Sequence, residues 1–217
     1  MGDPALLVIK RLEEIPMPAG PVAPILGRPA AARAERFAEP KNRETFVAAR
    51  LALRSFAARL LAVNPSRLTP NYDCPRCGPG LDHGRPGFLL DGGPAPLALS
   101  ASRAAGWVLL AGVVHPGEGL RLGVDLEAVA QARFAGFDEV ALTAAERGLV
   151  SELPEGKRDA QRARLWARKE AWLKMTGDGL RMDPAEVNVL NCPGIQDVGA
   201  VGGRPLPGGL VAALALA

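Results

Sequence analysis

The sequence is poor in histidine, with two, in cysteine, with three, and in aromatic side chains, which make up 5% of it. Three cysteines cannot form an even disulfide framework, and they are few for a secreted scaffold of this size. No apolar run is long enough to span a bilayer, and ALLVI at 5–9 is also too short for a secretory signal. Gly2 follows Met1, but Leu6 stands where a myristoylation signal needs serine or threonine. Nor is there a block of like charge: 26 Lys and Arg against 23 Asp and Glu leave +3, with the arginines dispersed. Nucleic acid and membrane are therefore not the expected partners, a small anionic ligand is compatible, and a cytoplasmic location is expected.

What is present suffices for a folded core. Of 217 residues, 48% are hydrophobic, and the 20 prolines and 25 glycines interrupt periodic apolar segments without forming a low-complexity tract. The stretch NRETFVAARLALRSFAARLLA reads as a helix, with Phe46, Val47, Leu51, Phe56, Leu60 and Leu61 as its apolar stripe. Arg43, Arg50 and Arg54 recur at helical spacing on another face, which is either solvated or anion-binding. A turn-rich stretch follows, then the extended segments LALSAS and GWVLLAGVV. HPGEG at 115–119 marks a boundary between an N-terminal half, 1–116, and a C-terminal half, 117–217. The second half repeats the outline and closes on the strand GGLVAALALA, so the fold class expected is α+β with two similar halves and a ligand cleft between them.

In GLRLGVDLE, Leu120, Leu122, Val124 and Leu126 alternate with Arg121, Gly123, Asp125 and Glu127, the period of a half-buried strand. Asp125 and Glu127 then share a face, and two like charges that close raise each other's pKa unless a positive group intervenes. The helical stretch DAQRARLWARKEAWLKM places Glu170 and Lys174 four apart, either as a surface ion pair or as parts of a site. Taken together, Asp125, Glu127 and Glu170 supply three hard oxygen ligands suited to Mg²⁺ or Mn²⁺, and Lys174 one cation, which points to phosphate chemistry. Separately, Cys74 and Cys77 form CPRC with His83 close behind and Cys192 far away. These are four zinc ligands if the two halves meet there; lacking a second CxxC, the plainer reading is a glycine-rich loop with two thiols.

GVDLE followed by WARKEAWLK resembles the paired signature of the 4′-phosphopantetheinyl transferase superfamily, a GVD strand and later a W-x-x-K-E-x-x-x-K helix. The second acid of GVDLE and the chain length resemble the larger, pseudo-dimeric branch that activates peptide and polyketide synthetases. GRP at 84–86 resembles the family's G-K-P loop, NRETFVAAR its arginine helix, and LTAAERGLV the segment before its catalytic helix. The resemblance implies that Asp125, Glu127 and Glu170 hold Mg²⁺ against the pyrophosphate of coenzyme A. Lys174 would neutralise phosphate oxygens, Glu170 would serve as the base, and Trp166 and Lys169 would fix the helix against the strand. It further implies that Gly84, Arg85 and Pro86 line the adenine pocket, that Arg43 and Arg50 face the 3′-phosphate, and that Ser100 and Ser102 bind phosphate.

The reaction so implied moves the phosphopantetheine arm onto a serine of an apo acyl or peptidyl carrier protein and releases 3′,5′-ADP, the enzyme acting as a monomer. Carrier docking falls between Phe134 and Leu153, where Phe134, Phe137, Val140 and Leu142 serve either as contacts or as core. One departure stands out: ALSASRAAGW has Ala101 where the family has a histidine on the 3′-phosphate. Loss of that charge-assisted contact is worth roughly 1.5–3 kcal/mol. It motivates two rival readings, a degenerate relative that binds coenzyme A or carrier with little turnover, and a Mg²⁺-dependent phosphohydrolase using the same acids.

Overall fold

The structure is a computed structural model that describes residues 5–74, 77–177 and 179–217. Its architecture is mixed α/β, of the α+β kind, with small sheets and helices distributed over two compact units. The first unit runs up to Ala101 and includes Gly106–Gly119; the second takes Ser102–Ala105 and Leu120–Ala217. The last three residues of one strand, Ser102–Ala104, and the turn residue Ala105 thus group with the later unit.

In the first unit, strand β1 (Leu6–Arg11) is followed by the long helix α1 (Pro40–Leu60), the short strands β2 (Tyr72–Cys74) and β3 (Gly78–Leu81), and the hairpin strands β4 (Leu97–Ala104) and β5 (Trp107–Val114). The sheet order is β1-β5-β4, with β1 antiparallel to β5 from Leu6 opposite Gly112 to Arg11 opposite Trp107. Pro40 opens α1 at a position where its missing N–H has no partner to lose. The helix buries Ala48, Ala52, Leu53, Phe56, Ala57 and Ala58 with Val108 and Leu110 of β5. Alanines carry much of that face and bring the helix close; a Cβ at Gly112 would stand 2.5 Å from Leu60 Cδ1. Leu51, Leu60 and Leu61, expected in the stripe, are only half-buried. Two short helices, Ala23–Leu26 and Arg28–Glu35, cover Phe46 and Val47. The turn-rich stretch contains β2, β3, Leu68–Pro70 and Phe88–Leu90, which are too short to show alternation in the sequence.

The second unit contains β6 (Leu122–Ala128), the helices α2 (Ala144–Glu152) and α3 (Glu155–Thr176), and the strands β7 (Ile195–Asp197) and β8 (Leu210–Leu216). Its sheet order is β7-β8-β6, with both pairings antiparallel; Asp125 lies opposite Ala213 and Glu127 opposite Val211. Ala163, Leu165, Ala167, Ala171 and Met175 of α3 pack with Ala213 and Ala215 of β8. The sequence period suggests a half-buried β6, but the strand is buried at every residue from Leu122 to Leu126. Gly123 is the reason. A Cβ there would lie 1.9 Å from the Ala171 carbonyl oxygen and 2.6 Å from the Met175 nitrogen, so only glycine lets α3 lie on that face. Among the described residues, no helix is long and apolar enough to cross a membrane.

Candidate active site

The close approach of α3 over Gly123 places Asp125, two residues on, beneath the last turns of the helix. Asp125 is 2% exposed. Its Oδ1 accepts hydrogen bonds from Ser102 Oγ at 2.7 Å and from Lys174 Nζ at 2.6 Å, and Lys174 also donates to the Val124 carbonyl at 3.2 Å. Lys174 thus reaches across to the strand, and its ion-pair partner is Asp125. Asp125 Oδ2 is buried and has no hydrogen-bond partner among the described residues.

The other two acids register this crowding. Burial, and then the charge of Asp125, push the Glu127 carboxyl up to about 7; Glu170 adds to the rise and Lys174 opposes it. Burial also raises Glu170, with Lys174 opposing and Asp125 adding to the rise. Three carboxyl groups therefore share one lysine. An acid face with an orphaned, buried carboxylate oxygen fits a hard divalent cation, which takes oxygen ligands and relieves the repulsion. The three acids are not gathered around a point: among the described residues, the group of three ligand-type side chains with donor atoms within 4.8 Å of one another is Cys74, Cys77 and His83.

Beside Glu127 a cavity of about 240 Å³ opens, lined by Gln131, Phe134, Phe137, Val140 and Trp166 among others. Trp166 meets Phe137 edge-on at 6.3 Å, and Phe137 meets Phe134 at 5.4 Å. The four apolar side chains considered for carrier docking divide here. Phe137 and Leu142 are core, whereas Phe134 and Val140 are 56% and 60% exposed. Arg162 holds this wall to α3 through two 2.7 Å hydrogen bonds to Asp138.

Lys169 does something other than fix the helix to the strand. It is fully buried, donates to the Pro184 carbonyl at 2.7 Å and to the Val187 carbonyl, and pairs with Glu146 at 2.6 Å. Glu146, also fully buried, accepts from the Val189 N–H at 3.0 Å and from the Thr143 N–H at 2.8 Å, closing a capping box at the start of α2. The pair locks α2, α3 and the 184–189 segment together behind the acids. Sequence reasoning missed Glu146, although Thr143-x-x-Glu146 before an apolar helix is a readable capping signal.

The remaining expected residues lie in the first unit, except Ser102, whose hydroxyl is engaged by Asp125. Arg43 is exposed. Arg50 stacks on Tyr72 at 3.8 Å and on Phe46 at 5.1 Å, donates through Nη2 to the Asp82 carbonyl, and keeps a buried Nη1 with no hydrogen-bond partner among the described residues. Arg54 donates to the Leu68 carbonyl at 3.1 Å, so the basic face of α1 is in good part tied down internally. Gly84 and Arg85 are held to β2 by hydrogen bonds between Arg85 and Asp73 of 2.7 and 3.0 Å. Pro86 follows, half-buried, and Ser100 is buried. Ala101 packs half-buried against the first unit's core.

Residues 121–202 match the family model of the 4′-phosphopantetheinyl transferase superfamily. The matched segment lies within the second unit. No curated protein matches the chain. The matched segment holds Asp125, Glu127, Glu146, Lys169, Glu170 and Lys174, so the acid face and the buried Glu146–Lys169 pair both fall inside it. The match supports phosphopantetheine transfer as the general chemistry, with coenzyme A as the substrate of the family.

Proposed function

We propose that the chain transfers the 4′-phosphopantetheine arm of coenzyme A to a serine of an apo acyl or peptidyl carrier protein, releasing 3′,5′-ADP. The observation that carries this reading is Asp125, buried, bonded by Lys174 and Ser102 through one oxygen and without a hydrogen-bond partner among the described residues on the other, with Glu127 and Glu170 beside it. Asp125, Glu127 and Glu170 would hold Mg²⁺, with Mn²⁺ as the alternative, and the ion would supply charge neutralisation for the pyrophosphate.

The chain's own residues supply the rest. Lys174, already beside Asp125, sets a positive charge where phosphate oxygens gain charge. Glu170, raised by burial toward the pH at which a base works best, takes the proton of the serine hydroxyl. The serine oxygen forms a bond to the phosphorus that bears pantetheine; the pyrophosphate P–O bond breaks, and 3′,5′-ADP leaves with its electron pair. Arg43 and Arg50, whose Nη1 has no hydrogen-bond partner among the described residues, take the 3′-phosphate, Gly84, Arg85 and Pro86 the adenine, and Ser100 and Ser102 further phosphate oxygens. Phe134 and Val140, exposed at the cavity beside Glu127, receive the carrier.

The subtype we infer is the larger, pseudo-dimeric branch acting as a monomer, supported by the second acid Glu127 and by a long helix on a three-stranded sheet in each unit. Ala101 favours a second reading, a relative that binds coenzyme A or carrier with little turnover, because its methyl group donates no hydrogen bond to a 3′-phosphate. Intact-protein mass spectrometry of an apo carrier incubated with coenzyme A, Mg²⁺ and this protein separates the two. Transfer gives a mass gain of one phosphopantetheine that disappears with Glu170→Ala. Absence of any gain at high coenzyme A over several carriers selects the second reading.

A further inference from the structure

The proposed transfer gives no role to Cys74, Cys77 and His83, yet the fold gathers these three side chains. Cys74 closes β2 and Cys77 immediately precedes β3, whose first residue, Gly78, is the register partner of Cys74. The hairpin therefore returns the second thiol to the first. His83 arrives on the neighbouring segment, which the paired hydrogen bonds between Asp73 and Arg85 hold against β2. Between His83 and Arg85, Gly84 has φ +96°, and a Cβ there would lie 2.3 Å from the Asp73 oxygen and 2.7 Å from Cys74 Cα. Only glycine lets the chain pass close enough to bring His83 to the cysteines.

One donor atom from each of Cys74, Cys77 and His83 lies within 4.8 Å of the others. Tetrahedral zinc, with Zn–S of about 2.3 Å and Zn–N of about 2.0–2.1 Å, has ligand atoms about 3.5 Å apart. A second observation concerns the histidine. Asp82 Oδ1 stands 3.2 Å from His83 Nδ1, while the other Asp82 oxygen is 3.6 Å from Arg33 Nη1 and the Asp82 carbonyl accepts from Arg50. A carboxylate on Nδ1 fixes the tautomer that leaves a lone pair on Nε2, the arrangement that orients metal-binding histidines.

We propose that Cys74, Cys77 and His83 form a zinc site, with Asp82 orienting His83 and solvent in the fourth position, that clips the Gly84–Pro86 segment to the β2–β3 hairpin. Two thiolates and an imidazole select a borderline-soft ion over Mg²⁺ or Ca²⁺. On binding, each thiol gives up its proton as its sulfur–metal bond forms, and no oxidant is needed. Cys192, which composition alone offers as a fourth ligand, belongs to the second unit and packs against that unit's core.

The test is titration of the reduced, metal-free full chain with Co²⁺, then Zn²⁺. The expected result is one equivalent of cobalt with a thiolate-to-metal charge-transfer band, bleached by one equivalent of zinc. Cys74→Ser and Cys77→Ser lose the band, and Cys192→Ser and Glu170→Ala retain it, the latter separating this site from the transfer reaction. Asp82→Asn, which leaves every ligand in place, weakens metal affinity by about 10–100-fold. No band in the reduced wild type, a band that survives without Cys74 and Cys77, or a band that vanishes with Cys192 overturns the proposal. Unchanged affinity in Asp82→Asn overturns the orienting role.

Discussion

Replacing Glu146 with glutamine removes one charge and almost no volume, and the structure fixes what that does. Glu146 uses both oxygens: Oε1 for the Val189 N–H, and Oε2 for the Thr143 N–H and the Lys169 ammonium. All three partners are donors. A glutamine offers one oxygen, so its NH₂ must face either the Val189 N–H or the Lys169 ammonium with its neighbour, and each orientation sets donor against donor. Lys169 keeps the Pro184 and Val187 carbonyls but loses its counter-charge while remaining fully buried. Breaking a buried pair from one side costs about 3–5 kcal/mol. At about 2–4 °C per kcal/mol for a chain of this size, Tm falls by about 6–20 °C. Urea unfolding followed by tryptophan fluorescence is the assay, since Trp166 and Trp172 lie on α3 with Lys169. Thr143→Ala, which removes the cap hydroxyl but leaves the ion pair, is the control and costs about 1 kcal/mol. Replacing both members, as Glu146→Leu with Lys169→Met, strands no charge but leaves the Val189 and Thr143 N–H groups and the Pro184 and Val187 carbonyls without these partners, so it recovers only the part of the loss that comes from the unpaired charge. A Glu146→Gln loss below about 1 kcal/mol with an unchanged m-value refutes the premise that the buried pair braces this unit.

Other consequences follow from the acid face. In the metal-free protein Glu127 titrates near 7 against its ordinary 4.5, so between those values the native state holds a proton that the unfolded state has released. Stability falls as pH rises through that window. Urea midpoints compared with Glu127→Gln check this, and a rise in wild type relative to the variant sinks it. On the proposed function Mg²⁺ would compete with the proton for the same carboxylate, so its affinity measured by calorimetry is expected to strengthen as pH rises through 7. Lys174→Met leaves Asp125 Oδ1 with Ser102 alone and removes the group that lowers Glu127 and Glu170. Transfer kcat should fall by about 10²–10³-fold, as for other single electrostatic stabilisers, and a loss under tenfold removes Lys174 from the chemistry. Gly123→Ala places a methyl group against the Ala171 and Met175 backbone and costs at least the about 3 kcal/mol at the top of the overpacking range; a Tm within 2–3 °C of wild type contradicts the close approach.

How far the sequence reveals this arrangement depends on the range of each interaction. The extents of α3 and of β6 are local patterns, and the spacing of apolar residues displays them. Burial of Asp125 is not local. Alternation along GVDLE assigns Gly123 and Asp125 to an outer face, and nothing within the strand says that a helix fifty residues later lies there. The signal is the glycine itself, since a missing Cβ in a strand marks a close backbone approach, here to Ala171. The same holds for Gly84, which reads as part of a loop until its space is seen to be filled by Asp73 and Cys74. Lys169 shows the converse. Its place in a family motif suggests contact with the strand, whereas its three acceptors come from Glu146 and from the 184–189 segment, neither of which helical spacing can indicate. Charged residues are thus the hardest to place, because burial becomes affordable only through partners scattered along the chain. Glycines tell more than their neighbours suggest, because a side chain that cannot be present marks where two segments must touch.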